Sequence, residues 1–210
     1  MNHIVLLGDS VFDNAAYVAG APDVVKQLRQ HLPDNWKATL LAVDGSVTRD
    51  VQQQAEQLPR DATHLILSCG GNDALGHMGL LNEPARSMTE ALMKLAEAGA
   101  NFQQNYRAML DTLLRTNLLL GICSIYYPRF PDPQLQRLAV TALTIFNDTI
   151  IREAFARGIP LLDLRLICDE DGDYANPIEP SAHGGEKIAG AIKKLVAEHD
   201  FTRRRTEVFV

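Results

Sequence analysis

Cysteine is scarce in this chain of 210 residues: Cys69, Cys123 and Cys168 stand far apart and form no CxxC spacing. Such a set does not provide a disulfide framework, and it favours a reducing, cytoplasmic setting. Long hydrophobic runs are also missing. The longest apolar stretches are strand-sized, well short of the roughly 20 residues that a membrane-spanning helix needs. We therefore expect a protein with no membrane partner.

Positive charge is not in excess either. The chain has 20 lysine and arginine residues against 26 aspartate and glutamate residues, a formal net charge of −6. Without a basic stripe, a nucleic-acid partner is not expected. No pair of histidines has metal-ligand spacing beside a carboxylate, and neither GxGxxG nor GxxxxGK[ST] occurs. The sequence thus predicts no metal site and no other cofactor.

What the chain does have is the composition of a globular protein. Hydrophobic residues make up 46% and charged residues 22% of the sequence. A chain of this size hides roughly 70% of its unfolded surface on folding, which allows a sizeable core. No repeat, low-complexity segment or linker divides it, so we predict a single domain over residues 1–210. The tail at 203–210 ends in an apolar cluster that could form a short extra strand or a contact in a homo-oligomer.

Short apolar runs alternate with longer amphipathic ones. Apolar runs lie at 3–8, 38–43, 63–69, 118–125 and 159–163. Helical patterns lie near 22–32, 49–58, 84–98, 101–116, 133–157 and 184–199, and Gly99 and Gly158 stand where helices are expected to end. Apolar strands of this kind are covered on both faces. The order predicts an α/β fold, a three-layer α/β/α sandwich around a mainly parallel five-stranded sheet.

Polar residues follow the predicted strands at the edge where parallel sheets place their functional groups. The three motifs in question are Gly8-Asp9-Ser10, Asp44-Gly45-Ser46 and Gly70-Gly71-Asn72-Asp73. A serine hydroxyl surrounded by backbone N–H groups and a side-chain amide suits acyl transfer, because negative charge develops on the carbonyl oxygen. The sequence therefore predicts a nucleophile at Ser10 and hydrogen-bond donors on the two neighbouring loops.

These three motifs, called here the first, second and third blocks, stand in the order that is typical of the SGNH (GDSL-type) hydrolase superfamily. The chain therefore resembles that superfamily. The resemblance implies a flavodoxin-like fold with Ser10 as nucleophile. It also implies an oxyanion hole formed by the Ser10 N–H, the Gly45 N–H and the Asn72 side chain. The expected activity is that of a serine-dependent esterase or acyl hydrolase, which acts on a small ester or acylated metabolite through an acyl-enzyme.

The fourth block departs from the family pattern. The family carries Asp-x-x-His just before the last helix, whereas this chain has Asn176 and Glu179 at those places, and His183 follows. With Ser181 as N-cap, His183 would lie in the first turn of the last helix. Three alternatives stay open. His183 is the base, or Glu179 is the base with a pKa raised by burial, or the site is degenerate and binds a small carboxylate or acyl sugar.

Three further residues are candidates for substrate binding. Asn14 follows Ser10 by one helical turn, His77 lies in the loop after Asn72, and Tyr127 belongs to the segment after the fourth predicted strand. Two of them have an alternative interpretation, namely a cap at Asn14 and an ordinary surface loop at His77. Asp163 and Asp173 are the candidates for an acid that orients the base.

Overall fold

The fold is built on a parallel sheet of six strands in the order β2-β1-β3-β4-β5-β6, as seen in a computed structural model that describes residues 2–210. The strands are β1 (His3–Gly8), β2 (Lys37–Leu40), β3 (His64–Ser68), β4 (Leu119–Cys123), β5 (Leu161–Leu162) and β6 (Val208–Phe209). All five pairings are parallel. The order of the first five is that of a flavodoxin-like sheet, whose topological switch point lies beside β1. The predicted α/β fold is confirmed.

The sixth strand is the one difference from the predicted sheet. The C-terminal tail returns to pair Val208 and Phe209 with Leu161 and Leu162 of β5. A strand of two residues is too short to show the alternation from which strands are recognised. The prediction of five strands was therefore one too few, and the tail forms the extra strand that the sequence had left as an alternative.

Helices cover both faces of the sheet. They are α1 (Val24–His31), α2 (Val51–Ala55), α3 (Gly71–Gly76), α4 (Met88–Leu114), α5 (Pro133–Arg157), α6 (Leu164–Ile167) and α7 (Ala182–Glu198), with 3-10 turns at Met78–Asn82 and Asp171–Asp173. Gly158 ends α5 in the left-handed conformation, with φ 66°, as the sequence predicts. Within residues 2–210, no helix is long and apolar enough to cross a membrane.

Gly99 does not end a helix, and the two patterns predicted at 84–98 and 101–116 belong to the single helix α4. A Cβ atom at position 99 would lie 2.5 Å from Cγ2 of Ile145 on α5. The glycine is therefore needed for the close approach of α4 and α5. From the sequence, Gly99 was expected to end a helix. Its close packing against α5 is the better explanation of why a glycine stands at this position.

Each strand contributes to two cores because its side chains alternate between the faces. Ile4 and Leu6 of β1 pack in the core beneath α1 and α7, whereas Val5 and Leu7 pack in the core beneath α4 and α5. With both faces covered, the loops at the carboxyl ends of β1 and β3 remain as the place for polar groups. The first and third sequence blocks are located there.

Candidate active site

The end of β1 approaches β3 so closely that only glycine fits. Gly8 has φ +121°, and a Cβ atom there would overlap the carbonyl oxygen of Ser68. The chain then turns: Asp9 N donates to Ser68 O over 3.1 Å, and the Asp9 carboxylate accepts from Val11 N over 3.2 Å. Ser10 lies within this turn and is 7% exposed. The first block thus holds the serine at the switch point of the sheet.

The second and third blocks are tied together by side chains. Asn72 Nδ2 donates to Ser46 O over 3.0 Å. Asp73 accepts from Thr48, from its N over 3.0 Å and from its Oγ1 over 2.7 Å. Asp73 therefore fixes the loop after β2 to the N-terminal turn of α3, and the Asn72 amide is held in place with one N–H still available.

Gln54 joins this arrangement from α2, and the sequence reasoning missed it. Its amide pairs with both backbone groups of Gly8: Gly8 N donates to Oε1 and Nε2 donates to Gly8 O, each over 2.8 Å. Nε2 also donates to Ser46 Oγ over 3.2 Å. Gln54 thereby connects the first block with the second. No local pattern marks it, because its partner is 46 residues away.

Glu179 is placed by a loop formed by residues 174–181. Asn176 Oδ1 accepts from the backbone N–H groups of Ile178 and Glu179 over 2.9 and 3.0 Å. Glu179 O accepts from Ala175 N over 2.9 Å. The residue at the family's aspartate position thus shapes the turn that carries the residue at the family's histidine position.

The same loop is anchored to the body of the protein at both sides of Glu179. The Tyr126 hydroxyl donates to Ile178 O over 2.6 Å. Asn14 Nδ2 donates to Pro180 O over 3.3 Å, while Asn14 Oδ1 accepts from Val24 N over 3.0 Å. Asn14 is fully buried and does not line the cavity described next. Asn14 therefore joins two backbone segments and does not contact the cavity. This role agrees with its alternative interpretation as a cap better than with substrate binding.

These elements enclose a cavity of about 110 Å³ at the carboxyl edge of the sheet. Its polar end is formed by Asp9, Ser10, Asn72 and Glu179. The rest of its wall is mostly apolar and includes Leu75, Met78, Leu81, Leu95, Ile125, Leu143 and Phe146. A polar cluster at one end of an apolar cavity is the usual form of a small-molecule site.

Burial changes the electrostatics of the two carboxyls at the polar end. Desolvation raises the pKa of Glu179 to about 7; the hydroxyl of Ser10 lowers it in part, and the charge of Asp44 raises it. Desolvation likewise raises the pKa of Asp9 to about 7, opposed by its bond to Val11 N and assisted by Glu179. Glu179 is 6% exposed, and its Oε2 is buried without a hydrogen-bond partner among residues 2–210. A carboxyl with such a pKa can exchange a proton at neutral pH.

His183 lies elsewhere. Ser181 caps α7 by accepting from the N–H groups of His183 and Gly184, so the histidine stands in the first turn as predicted. Its side chain is 62% exposed, and its Nε2 lies 3.8 Å from Asp173 Oδ1. His183 does not line the cavity. Of the two candidate bases, the structure brings only Glu179 together with Ser10.

Of three remaining candidates, one lines the cavity and two do not. His77 lines the cavity and packs against Phe146, with 6.0 Å between ring centroids. Tyr127 does not line it; its carbonyl accepts from the Tyr174 hydroxyl over 2.8 Å. Asp163 is paired with Arg165 over 2.6 Å and is not oriented toward either candidate base by any hydrogen bond among residues 2–210.

Gly45 lies on the exposed turn after β2 with φ +80° and does not line the cavity. Within residues 2–210, neither the Gly45 N–H nor the Ser10 N–H donates to a backbone carbonyl. Both groups therefore remain available as donors. Asn72, by contrast, both lines the cavity and is fixed by Ser46 O.

The sheet order and the loop positions are those of the SGNH hydrolase fold. The sequence matches the profile of the GDSL-like Lipase/Acylhydrolase family over residues 6–187. Because the match covers most of the chain, the protein belongs to this family. A comparison with curated proteins found no match.

Solved structures show the same fold at low sequence identity. The extracellular lipase from Streptomyces rimosus has a TM-score of 0.62 at 18% identity, with 89% of this chain and 96% of the lipase covered. The acetyl xylan esterase AlAXEase has a TM-score of 0.68 at 15% identity, with coverage of 94% and 100%. The aryl esterase from M. smegmatis has a TM-score of 0.67 at 13% identity, with coverage of 94% and 99%. Their named activities differ, so the shared feature is the fold.

Proposed function

We propose that this protein is a serine-dependent ester hydrolase in which Glu179 is the general base. The observation that carries the proposal is the buried Glu179 carboxyl, with a pKa of about 7, at the same cavity end as Ser10. In the family's Asp-x-x-His pattern, a histidine occupies the position of Glu179. A carboxylate with a near-neutral pKa can perform the same proton transfer.

The reaction begins with attack of Ser10 Oγ on the ester carbonyl carbon, while Glu179 accepts the hydroxyl proton. The developing oxyanion accepts hydrogen bonds from the Ser10 N–H and from the free N–H of Asn72, both of which lie at the polar end of the cavity. Collapse of the tetrahedral intermediate returns the proton from Glu179 to the leaving alcohol and leaves an ester on Ser10. Water then attacks the ester on Ser10 and gives one proton to Glu179, and collapse of the second tetrahedral intermediate returns this proton to Ser10 Oγ and releases the acid.

The size and lining of the cavity support a small substrate with a short apolar acyl part. The wall opposite the polar end is lined by leucine, isoleucine, methionine and phenylalanine side chains. Its volume of about 110 Å³ is below that of an engineered apolar cavity of about 150 Å³ that accommodates benzene. Lipase, acetyl xylan esterase and aryl esterase activities among the structural neighbours are all ester hydrolyses.

The proposal is tested with p-nitrophenyl esters of increasing acyl length and with a fluorophosphonate label. We expect turnover that is greatest for short acyl groups, a label on Ser10, and a loss of at least about 10⁴-fold in kcat for Ser10→Ala. Ser87→Ala, at the exposed cap of α4, is the matched control and should retain both turnover and labelling. Folded wild-type protein with no turnover and no label would instead favour the alternative of a degenerate site that binds a small carboxylate or acyl sugar.

A further inference from the structure

A second cluster of polar side chains lies outside the cavity, where the 3-10 turn Asp171–Asp173 meets the first turn of α7. Glu170, Asp173 and His183 each place one potential ligand atom there, and these atoms lie within 4.8 Å of one another. None of the three residues lines the cavity that contains Ser10. The cluster is therefore separate from the proposed ester chemistry.

Asp173 is the residue that points to a ligand. It is fully buried, and its Oδ2 accepts from Lys187 Nζ and from Glu170 N, each over 2.9 Å. Its Oδ1 is also buried but has no hydrogen-bond partner among residues 2–210. A buried carboxylate oxygen without a partner is costly unless something binds it. The Nε2 atom of His183 lies 3.8 Å from Oδ1, beyond hydrogen-bond distance.

Apart from Glu170, the neighbouring charged side chains pair with one another or with Oδ2, and none of them forms a hydrogen bond with Oδ1 of Asp173 among residues 2–210. Lys187 binds Oδ2 and so fixes the plane of the carboxylate without occupying Oδ1. Of the neighbouring acids, Asp169 pairs with Lys187 over 3.3 Å and Asp171 pairs with Arg129 over 3.2 Å. Glu170 is exposed and has no ion-pair partner within residues 2–210. Two carboxylates and one imidazole thus face the same point.

We propose that Glu170, Asp173 and His183 bind a divalent transition-metal ion such as Zn²⁺. Imidazole nitrogen together with carboxylate oxygen favours zinc-like ions over Mg²⁺. Zinc bonds of about 2.0–2.2 Å require the ligand atoms to approach one another further. Glu170 and His183 are exposed and can adjust their rotamers, whereas buried Asp173 provides the fixed position. Three protein ligands leave at least one position for water.

The sequence did not indicate this site because its ligands flank the 174–181 loop instead of forming a local motif. Binding would link the turn before that loop to the helix after it. We therefore expect the metal to stabilise the folded protein, whether or not it changes ester turnover.

The test is calorimetric titration of the metal-stripped 210-residue chain with ZnCl₂, together with thermal denaturation. We expect saturable binding to the wild type and a Zn²⁺-dependent rise in Tm. His183→Ala and Glu170→Gln should each weaken binding by about 10-fold or more. Both side chains are exposed, and glutamine at position 170 keeps an oxygen that can accept from the Asp173 N–H in the capping box of the 3-10 turn. Mg²⁺ should not compete at equal concentration.

His31→Ala is the matched histidine control, since His31 is paired with Glu186 at another place on the surface. It should bind Zn²⁺ as the wild type does. The proposal is wrong if the wild type neither binds Zn²⁺ nor gains Tm. It is equally wrong if His183→Ala and Glu170→Gln both bind with wild-type affinity.

Discussion

Glu179 and His183 stand one helical turn apart in sequence, yet they occupy opposite environments. Glu179 is buried at the polar end of an apolar cavity, whereas His183 is 62% exposed beside Asp173. The difference arises from Ser181, which starts α7 between them and turns the histidine away. Residue type alone would favour histidine as a base. Position favours the carboxylate, because burial brings its pKa to about 7.

Within the comparison of Glu179 with His183, the largest expected effect comes from removing the Glu179 carboxylate. Glu179→Gln keeps the size of the side chain but cannot accept a proton, so we expect kcat/KM for a short ester to fall by about 10²–10⁴-fold. Steady-state kinetics at pH 8 measure the loss. Glu198→Gln, at an exposed carboxyl of α7, is the matched control and should be unaffected.

A smaller loss is expected when Glu179 is kept but its loop is loosened. Asn176→Ala removes the acceptor of the Ile178 and Glu179 N–H groups, and a displaced base lowers the rate. We expect kcat to fall by roughly tenfold with little change in KM. Asn176→Asp retains an acceptor oxygen and should restore most of the activity. Equal losses in both variants would contradict a role of the turn in positioning Glu179.

Thermal stability provides a third comparison. The pKa of Glu179 is about 7 in the folded chain against 4.5 ordinarily, so the folded state prefers the protonated carboxyl. Its contribution to stability is present below about pH 4.5 and is lost as the pH rises through about 7. At pH 8 we therefore expect Glu179→Gln to raise Tm by about 2 °C or more. At pH 4 the gain should vanish, and a gain that persists there would contradict the assignment to ionisation.

The smallest effect is expected at the histidine. His183→Ala removes an exposed side chain outside the cavity, and alanine is well tolerated in a first helical turn. Ester kinetics at pH 8, without added metal, should change by less than about twofold, within the usual range of surface substitutions. A loss as large as that of Glu179→Gln would remove the distinction between the two residues.

Local patterns were sufficient to predict the first five strands, most helices and the loop blocks around Ser10 and Asn72. These features depend on apolar runs and on motifs that are contiguous in sequence. The contacts of Gln54 with Gly8 and of Asn14 with Pro180 were not predictable, because they join positions far apart in the chain. For the same reason, the choice between Glu179 and His183 required the three-dimensional structure. Gly99 shows that even a strong local signal can have a tertiary cause.

The most direct test of the account is the pH dependence of kcat/KM between about pH 5 and 9 in His183→Ala. If Glu179 is the base, the variant should show the wild-type profile, rising with pH through a midpoint of about 7 as the carboxyl loses its proton. If that rise is lost in His183→Ala while Glu179→Gln retains it, the histidine is the base and the central claim is wrong.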